Sequence, residues 1–320
     1  MDDLGTLMRE AVEHVDPMPR QRDLWDGVNI ATKRRNRNRT IGGLVAAAVL
    51  LTGGALAATH QSSGSDIRPS GPPHAIDRGQ SRYVYGIYYA GRTPHGMRLY
   101  REFRAGLQAD ENLADALSLL EASPTDPDYD TYWSDGQLLG ATVENGVIEV
   151  DVDPAQTAPG DASGDPGLAI QQLIYTVQGV EGQPRLPVQF VHDGNPVAEV
   201  FGVPTSEPLT NAPELETLSL VSISDPTDRR VVEGYFSARG VASSFEGTVP
   251  WQLKAADGTV VEQGSAQTYG WQDHLYPWAT GHIDVSGLEP GEYTFVVMTD
   301  DPSGGEGPGP YVDTRTVIVQ

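Results

Sequence analysis

Aromatic rings are the side chains of this sequence whose spacing most clearly points to binding chemistry. The stretch "YGWQDHLYPW", residues 269–278, places Tyr269, Trp271, Tyr276 and Trp278 between two predicted strands. Rings in such a place either close the core of a β-sandwich or stand on a loop as a contact surface. Because Gly270, Asp273 and Pro277 favour a loop, we expect Trp271 and Tyr276 to form a flat contact platform. Tyr269 and Trp278 are further candidates for the same surface.

Carboxylates are concentrated in two stretches that could supply oxygen ligands to calcium. They are Asp151, Asp153, Asp161 and Asp165 in the first stretch, and Asp300, Asp301, Glu306 and Asp313 in the second. Neither stretch has the spacing of a known calcium loop. Acidic loops on a strongly acidic surface are usually solvent-facing, so we predict no metal site.

Catalytic motifs are not evident. The seven histidines, at positions 14, 60, 74, 95, 192, 274 and 282, include no HExxH pair, and no serine lies in a G-x-S-x-G turn. The stretch "GGEGPGP" at 304–310 lacks the Lys and Ser/Thr of a phosphate-binding loop. Paired acids for glycoside hydrolysis are recognised by distance in space, and nothing here favours them. The sequence therefore predicts no enzyme and no cofactor.

A basic run next to an apolar segment indicates membrane topology. Residues 41–59 carry no charge and, as a helix, would span a hydrocarbon core of about 30 Å. The basic residues directly before them are Lys33, Arg34, Arg35, Arg37 and Arg39. From residue 60 onward there are 13 basic and 37 acidic side chains. Basic flanks stay on the cytoplasmic side, so we expect a single-pass membrane protein with its N-terminus inside and its acidic part outside.

Two other interpretations of this region compete with a retained transmembrane helix. The basic run could bind nucleic acid, but it has no interleaved aromatic residues, so we expect no nucleic-acid partner. The A-x-A pattern at 55–57 could mark a signal peptide cleaved after Ala57, although the 40 residues before the apolar segment are long for such a leader. The chain has no cysteine, so neither a lipid-modified cysteine nor a disulfide is available.

The first 40 residues form a predicted cytoplasmic segment. In "DLGTLMREAVEHV" the apolar residues recur at helical spacing and form one stripe on a short helix. A helix this small cannot bury its apolar face on its own. We therefore expect that residues 1–32 lie on the membrane, bind a cytoplasmic partner, or are only marginally helical.

Residues 82–207 are predicted to form an α+β domain after a Ser/Gly/Pro-rich linker at 60–81. "YVYGIYYA" and "MRLYREF" read as strands, and Leu113, Leu117 and Leu120 share one face of a helix. Asn145 and Gly146 predict a tight hairpin. A second helix begins at Pro166 and places Ile170, Leu173, Ile174 and Val177 on one face. "LPVQFV" and "PVAEVFG" are two further strands, joined by a polar turn.

Residues 218–320 are predicted to form an all-β immunoglobulin-like sandwich, after a second linker at 208–217. Helical periodicity disappears, and seven short apolar runs are separated by turn residues. These runs are "LSLVSI", "YFSARGVA", "VPWQLKAA", "TVVEQGSA", "WATGHIDV", "YTFVVMT" and "TRTVIV". Proline is frequent around 206–213, so we expect two separately stable units joined there.

These two segments resemble a known pair of domains. Residues 83–207 are similar to a GerMN domain, the sporulation and spore-germination module, through "RLYREFR", "LADALSLLEASPTDPDY" and "LAIQQLIYTV". Residues 218–320 resemble the immunoglobulin-like domain of bacterial spore germination through "GVASSFEGTVPWQLKAADGTVV" and "LEPGEYTFVVMTDD". The resemblance implies a non-enzymatic, extracytoplasmic envelope protein of a Gram-positive, actinobacterial cell. Members in spore formers are often lipoproteins, whereas this chain without cysteine would rely on its transmembrane helix.

The functional expectation is a membrane-anchored protein that binds or scaffolds an envelope component. Its expected partners are the cell membrane and either a cell-wall glycan or an envelope protein. The alternative is a transmembrane signalling regulator that passes an external binding event to the N-terminal helix.

Overall fold

The fold comes from a computed structural model that describes residues 84–106, 112–153, 155, 164–301 and 305–320. The N-terminal helix, the basic run, the apolar segment 41–59 and the linker 60–81 lie outside these residues and stay predictions. Among the helices of the described residues, none is both long enough and apolar enough to cross a membrane.

The first domain combines sheets and helices. In chain order its elements are β1 (Val84–Thr93), β2 (Gly96–Ala105), α1 (Asn112–Glu121), β3 (Tyr129–Asp130), β4 (Leu138–Glu144), β5 (Val147–Val152), α2 (Pro166–Glu181), β6 (Val188–His192), β7 (Asn195–Pro196), β8 (Glu199–Val200), β9 (Val203–Pro204) and α3 (Glu214–Thr217). They build one sheet of order β2-β1-β3, a second of order β4-β5-β6-β7, and the small hairpin β8-β9. The predicted strand "PVAEVFG" is instead divided between β7 and β8, and β9 begins directly after it.

Two of the connections between strands are the turns that the sequence predicts. Asn145 and Gly146, with φ of 50° and 81°, join β4 to β5 in an antiparallel pair. Asp193 and Gly194, with φ of 49° and 74°, join β6 to β7. Both turns need residues that tolerate the left-handed region, which Asn, Asp and Gly do.

Helix α2 has well-defined ends and a buried middle. The Asp165 carboxylate accepts hydrogen bonds from the Gly167 and Leu168 N–H groups, and Pro166 occupies the first turn. Gly182, with φ of 65°, ends the helix in the left-handed conformation. The predicted apolar face is confirmed, and so is that of α1. The buried residues are Leu113, Leu117 and Leu120 on α1 and Ile170, Leu173, Ile174 and Val177 on α2.

Two buried polar residues of α2 complete the edge of a sheet. At Tyr88, β1 has β2 on one side only, since β3 pairs with β1 further along. Gln172 donates to the Tyr88 carbonyl (2.9 Å) and accepts from the Tyr132 N–H (3.0 Å), while Thr176 accepts from the Tyr88 N–H (3.1 Å). Gln172 and Thr176 are both fully buried, where water cannot replace them. They therefore supply hydrogen-bond partners to backbone groups that would otherwise have none.

The second domain is a β-sandwich. In chain order its strands are β10 (Val221–Asp225), β11 (Arg230–Val232), β12 (Tyr235–Phe236), β13 (Arg239–Ala242), β14 (Thr248–Lys254), β15 (Val260–Gln267), β16 (Tyr276–Ala279), β17 (Ile283–Asp284), β18 (Gly291–Met298) and β19 (Val312–Val319), with a short 3-10 turn at Phe245–Gly247. One sheet has the order β10-β13-β16 and the other β11-β19-β18-β14-β15, with β12-β17 as a separate pair. A single apolar core that includes Leu253, Trp278 and Phe295 lies between them.

All seven apolar runs predicted as strands contain strands, but two of them are divided. "YFSARGVA" forms β12 and β13, and "WATGHIDV" forms β16 and β17, so the chain changes partners within each run. Close approach occurs at Gly240, where an added Cβ would lie 1.8 Å from the Ser222 carbonyl oxygen and 2.8 Å from the Trp278 ring. Only glycine fits there.

The segment between the domains is bound to the first domain. Leu209 exchanges two backbone hydrogen bonds of 2.8 Å with Val188, and Ala212 bonds to the Tyr175 hydroxyl and to Gln171 of α2. Helix α3 then leads into Leu218, which pairs with Leu99 of β2. The described part of residues 77–320 accordingly forms one compact unit.

Candidate functional site

The aromatic stretch divides between surface and core. Tyr269 is 86% exposed, whereas Trp278 is 2% exposed and packs in the sandwich core. The expectation that Trp278 contributes to a contact surface is therefore wrong, because it lies on β16 opposite Gly240 and points between the sheets. Trp271 and Tyr276 are half-buried, and their contact role stays a prediction.

A ring that the sequence did not indicate joins them. Phe245, 37% exposed on the 3-10 turn before β14, meets the Trp271 ring edge to face at a centroid distance of 4.9 Å. Its signal was an aromatic residue in the turn-like string "SSFEG", which resembles the setting of the 269–278 rings. We call Phe245, Tyr269, Trp271 and Tyr276 the aromatic patch.

Hydrogen bonds hold the loop that carries the aromatic patch. The Ser243 hydroxyl accepts from the Gln272 N–H at 2.9 Å, and Thr268 bonds to the Gly247 and Gly270 carbonyls. An added Cβ at Gly270 would lie 2.6 Å from the Tyr276 ring, so the glycine lets the chain pass against it. Gln272 has φ of 78°, an unfavourable conformation for a residue with a side chain. The loop is thus held in a defined conformation by its own hydrogen bonds and carries rings on its outer side.

Acidic groups surround the aromatic patch. The Tyr276 hydroxyl donates to the Asp273 carboxylate at 2.8 Å, and this bond lowers the pKa of Asp273 and raises that of Tyr276. Glu246 is exposed beside Phe245. Between residues 240 and 291 the sequence has six acidic side chains and one basic side chain, Lys254.

The described carboxylates of the first acidic stretch form contacts within the protein. Asp165 caps α2, Asp153 accepts from the Ala155 N–H, and Asp151 lies 3.4 Å from the His192 ring. Asp161 lies outside the described residues. Across the part of the chain that the structure describes, no three His, Asp or Glu side chains are grouped so as to hold a metal.

In the second acidic stretch, Asp313 is buried at the junction between the two domains. On β19 its carboxylate accepts from the Ile223 N–H (2.6 Å) and the Tyr129 hydroxyl (2.7 Å), and lies 3.0 Å from Arg315. It is therefore not the solvent-facing loop residue that the sequence suggested. The regular alternation of β19 turns residues 313, 315, 317 and 319 inward.

Arg315 connects the two domains through a buried ion pair. Its guanidinium pairs with Asp126 of the first domain and also donates to the Tyr129 hydroxyl at 2.9 Å and the Ile223 carbonyl at 2.9 Å. The side chains of Arg315 and Asp126 are each 3% exposed. The Arg315 guanidinium is thus paired with two buried carboxylates, those of Asp126 and Asp313. Burial raises the pKa of Asp126 from 3.8 to about 7 although Arg315 lowers it, and burial also raises the pKa of Asp313.

Further contacts surround this ion pair. Thr314 donates to Asp128 at 2.5 Å, and the Tyr100 hydroxyl donates to the Val312 carbonyl at 3.1 Å. The His95 ring stacks on Tyr311 at 4.4 Å. The C-terminal strand of the sandwich is thus bonded along its first half to the first domain.

Comparison with known families agrees with the resemblance read from the sequence. Residues 86–198 match the family described as sporulation and spore germination, and residues 220–306 match the immunoglobulin-like domain of bacterial spore germination. The order of the two domains is the expected one. Neither description names an enzyme. No curated protein matches the chain.

Proposed function

We propose that this chain, which carries a sporulation and spore germination domain followed by an immunoglobulin-like domain of bacterial spore germination, binds the cell wall through the aromatic patch. The observation that carries the proposal is the exposure of Tyr269, 86%, on a loop that is itself hydrogen-bonded in place. Large rings held in solvent by a built loop are more often contact surface than filler.

The chemistry of the aromatic patch favours an uncharged glycan as the ligand. Flat rings pack against the apolar faces of sugar rings, and the Asp273 and Glu246 carboxylates accept hydrogen bonds from hydroxyl groups. The charges acting on Tyr276 include Asp273 and Glu214, both acidic. An anionic polymer would meet like charge there, which costs binding energy. We therefore propose wall glycan rather than an anionic polymer.

The membrane anchor belongs to the same proposal. Residues 41–59 would hold the protein in the cell membrane as a single span, with the N-terminus cytoplasmic and both domains extracytoplasmic. Protease added to intact, wall-stripped cells should then digest the chain beyond about residue 60 and leave the basic N-terminal piece. Complete protection of both domains would contradict this topology.

We propose a non-enzymatic role, since both matching families are described by sporulation and spore germination and neither description names an enzyme. The alternative of transmembrane signalling depends on residues 1–32, which lie outside the described residues. If deleting them alters only abundance, signalling through this segment is excluded.

The test is binding of the purified full-length chain to isolated Gram-positive cell wall, measured by co-sedimentation. Trp271→Ala and Tyr269→Ala should each weaken binding about fivefold, since one ring stacking contact contributes on the order of 1 kcal/mol. The matched control is Tyr235→Ala, because Tyr235 is 60% exposed but lies on β12, outside the patch. Equal binding by all variants would refute the proposal. A large drop in melting temperature with unchanged binding would show that Trp271 is a core residue.

A further inference from the structure

The loop of the aromatic patch is held by the first domain as well as by its own sandwich. Glu214 lies in the first turn of α3, and its Oε2 accepts a hydrogen bond from the Leu275 N–H at 3.2 Å. The same oxygen lies 3.4 Å from His274 Nδ1. One carboxylate of the first domain therefore contacts two consecutive residues of the loop, directly before Tyr276.

The side chain of Leu275 strengthens this attachment. It packs against the apolar core of the first domain rather than that of the sandwich that carries it. On the opposite end of the loop, Gln272 is bonded to Ser243 of the sandwich. The short segment between these two attachments contains Asp273, which receives the Tyr276 hydroxyl bond. The position of the Tyr276 ring thus depends on both domains.

Glu214 is itself fixed to the rigid part of the first domain. Its carbonyl accepts from the Leu218 N–H at 2.8 Å, and the preceding Ala212 is bonded to Gln171 and Tyr175 of α2. Helix α2 is buried along most of its length. A continuous set of contacts therefore runs from the core of the first domain through α3 to the loop.

We propose that Glu214 is a positioning residue for the aromatic patch, so that the glycan site is complete only when the two domains are docked. This inference rests on the proposed function of the patch. Glu214 does not contact the ligand in this proposal. It fixes the positions of the Tyr276 and Asp273 side chains.

The backbone contact matters more than the charge. The Glu214 and His274 side chains are 37% and 64% exposed, and exposed ion pairs contribute little. Glutamine at position 214 keeps an acceptor for the Leu275 N–H, whereas alanine removes it. The two substitutions therefore separate positioning from charge.

The experiment measures co-sedimentation of the full-length chain with isolated Gram-positive cell wall, together with amide hydrogen exchange of residues 269–276. Glu214→Ala should weaken binding about threefold to tenfold, the range expected for one lost hydrogen bond, and should speed exchange in the loop. Glu214→Gln should bind nearly as well as the unchanged protein. Glu216→Ala, an exposed residue of the same helix, is the matched control and should change neither quantity.

The outcomes distinguish the two proposals. If Trp271→Ala weakens binding but Glu214→Ala does not, the patch is a site and the positioning role is wrong. If Glu214→Gln is as weak as Glu214→Ala, the assigned backbone contact is wrong. If Trp271→Ala leaves binding unchanged, the proposed function itself fails.

Discussion

Asp126→Asn should remove much of the pH dependence of the stability of this protein. In the folded state Arg315 lies between two buried carboxylates, Asp126 and Asp313, and can neutralise only one of them. Keeping the other carboxylate ionised in a buried site costs free energy, so that carboxyl group retains its proton to a higher pH than usual. Burial accordingly raises the pKa of Asp126 from 3.8 to about 7.

The sign and size of the effect follow from this difference. Between pH 3.8 and about 7 the folded chain holds a proton on Asp126 that the unfolded chain has lost. The free energy of unfolding therefore falls as pH rises through this range and levels off above the folded pKa. At about 1.4 kcal/mol per pH unit, Asp126 should cost the protein about 3 kcal/mol of stability between about pH 5 and about pH 8.

Urea denaturation at these two pH values checks the prediction. Asparagine has the shape of aspartic acid but no charge, so the variant should lose about 3 kcal/mol less than the unchanged protein as pH rises. Titrating groups away from the Arg315 ion pair contribute equally to both proteins and cancel. Asp130→Asn is the control, since Asp130 is exposed in the same segment. Identical pH dependence of stability in all three proteins would refute the assignment of a buried proton to Asp126.

Three further substitutions test the fold. Arg315→Met should destabilise the protein by about 3–5 kcal/mol in urea denaturation at about pH 8, because it leaves two buried carboxylates without a cation; a smaller loss would mean that water reaches them. Gln172→Leu should cost about 2–4 kcal/mol by the same assay, since the Tyr88 carbonyl and Tyr132 N–H lose their partner, and a neutral result would show that another group replaces the amide. Gly240→Ala should cost about 2 kcal/mol or more through its clash with Ser222, whereas Gly281→Ala, with open space around it, should leave the melting temperature nearly unchanged.

Local patterns predicted the elements of this fold well. The apolar faces of α1 and α2, the Asn145–Gly146 turn and most strands of the sandwich follow from the spacing of residues near one another in the chain. The buried polar residues of α2 did not follow. Gln172 reads as the polar side of an amphipathic helix, and only the gap beside Tyr88 in β1 explains why it is buried.

The domain junction was beyond sequence reasoning for the same reason. Asp313 and Arg315 alternate with Val312, Thr314 and Thr316 on β19 and are typical of the solvent face of a strand or of a loop. Their partner Asp126 is 189 residues away from Arg315 in the sequence, and no local pattern reports such a contact. In the candidate site, the rings of 269–278 were visible as a group, but burial of Trp278 and the recruitment of Phe245 depend on how the two sheets meet.

The long separation between Asp126 and Arg315 also orders events during synthesis. The ribosome makes the first domain well before β19, so the Asp126 carboxylate has no Arg315 to pair with until synthesis is nearly complete. The buried ion pair can form only after β19 has been made, and the burial of Asp126 favours the uptake of a proton by its carboxyl group. Formation of this ion pair is therefore expected to be a late, proton-linked step of folding, and chains interrupted before β19 would lack it.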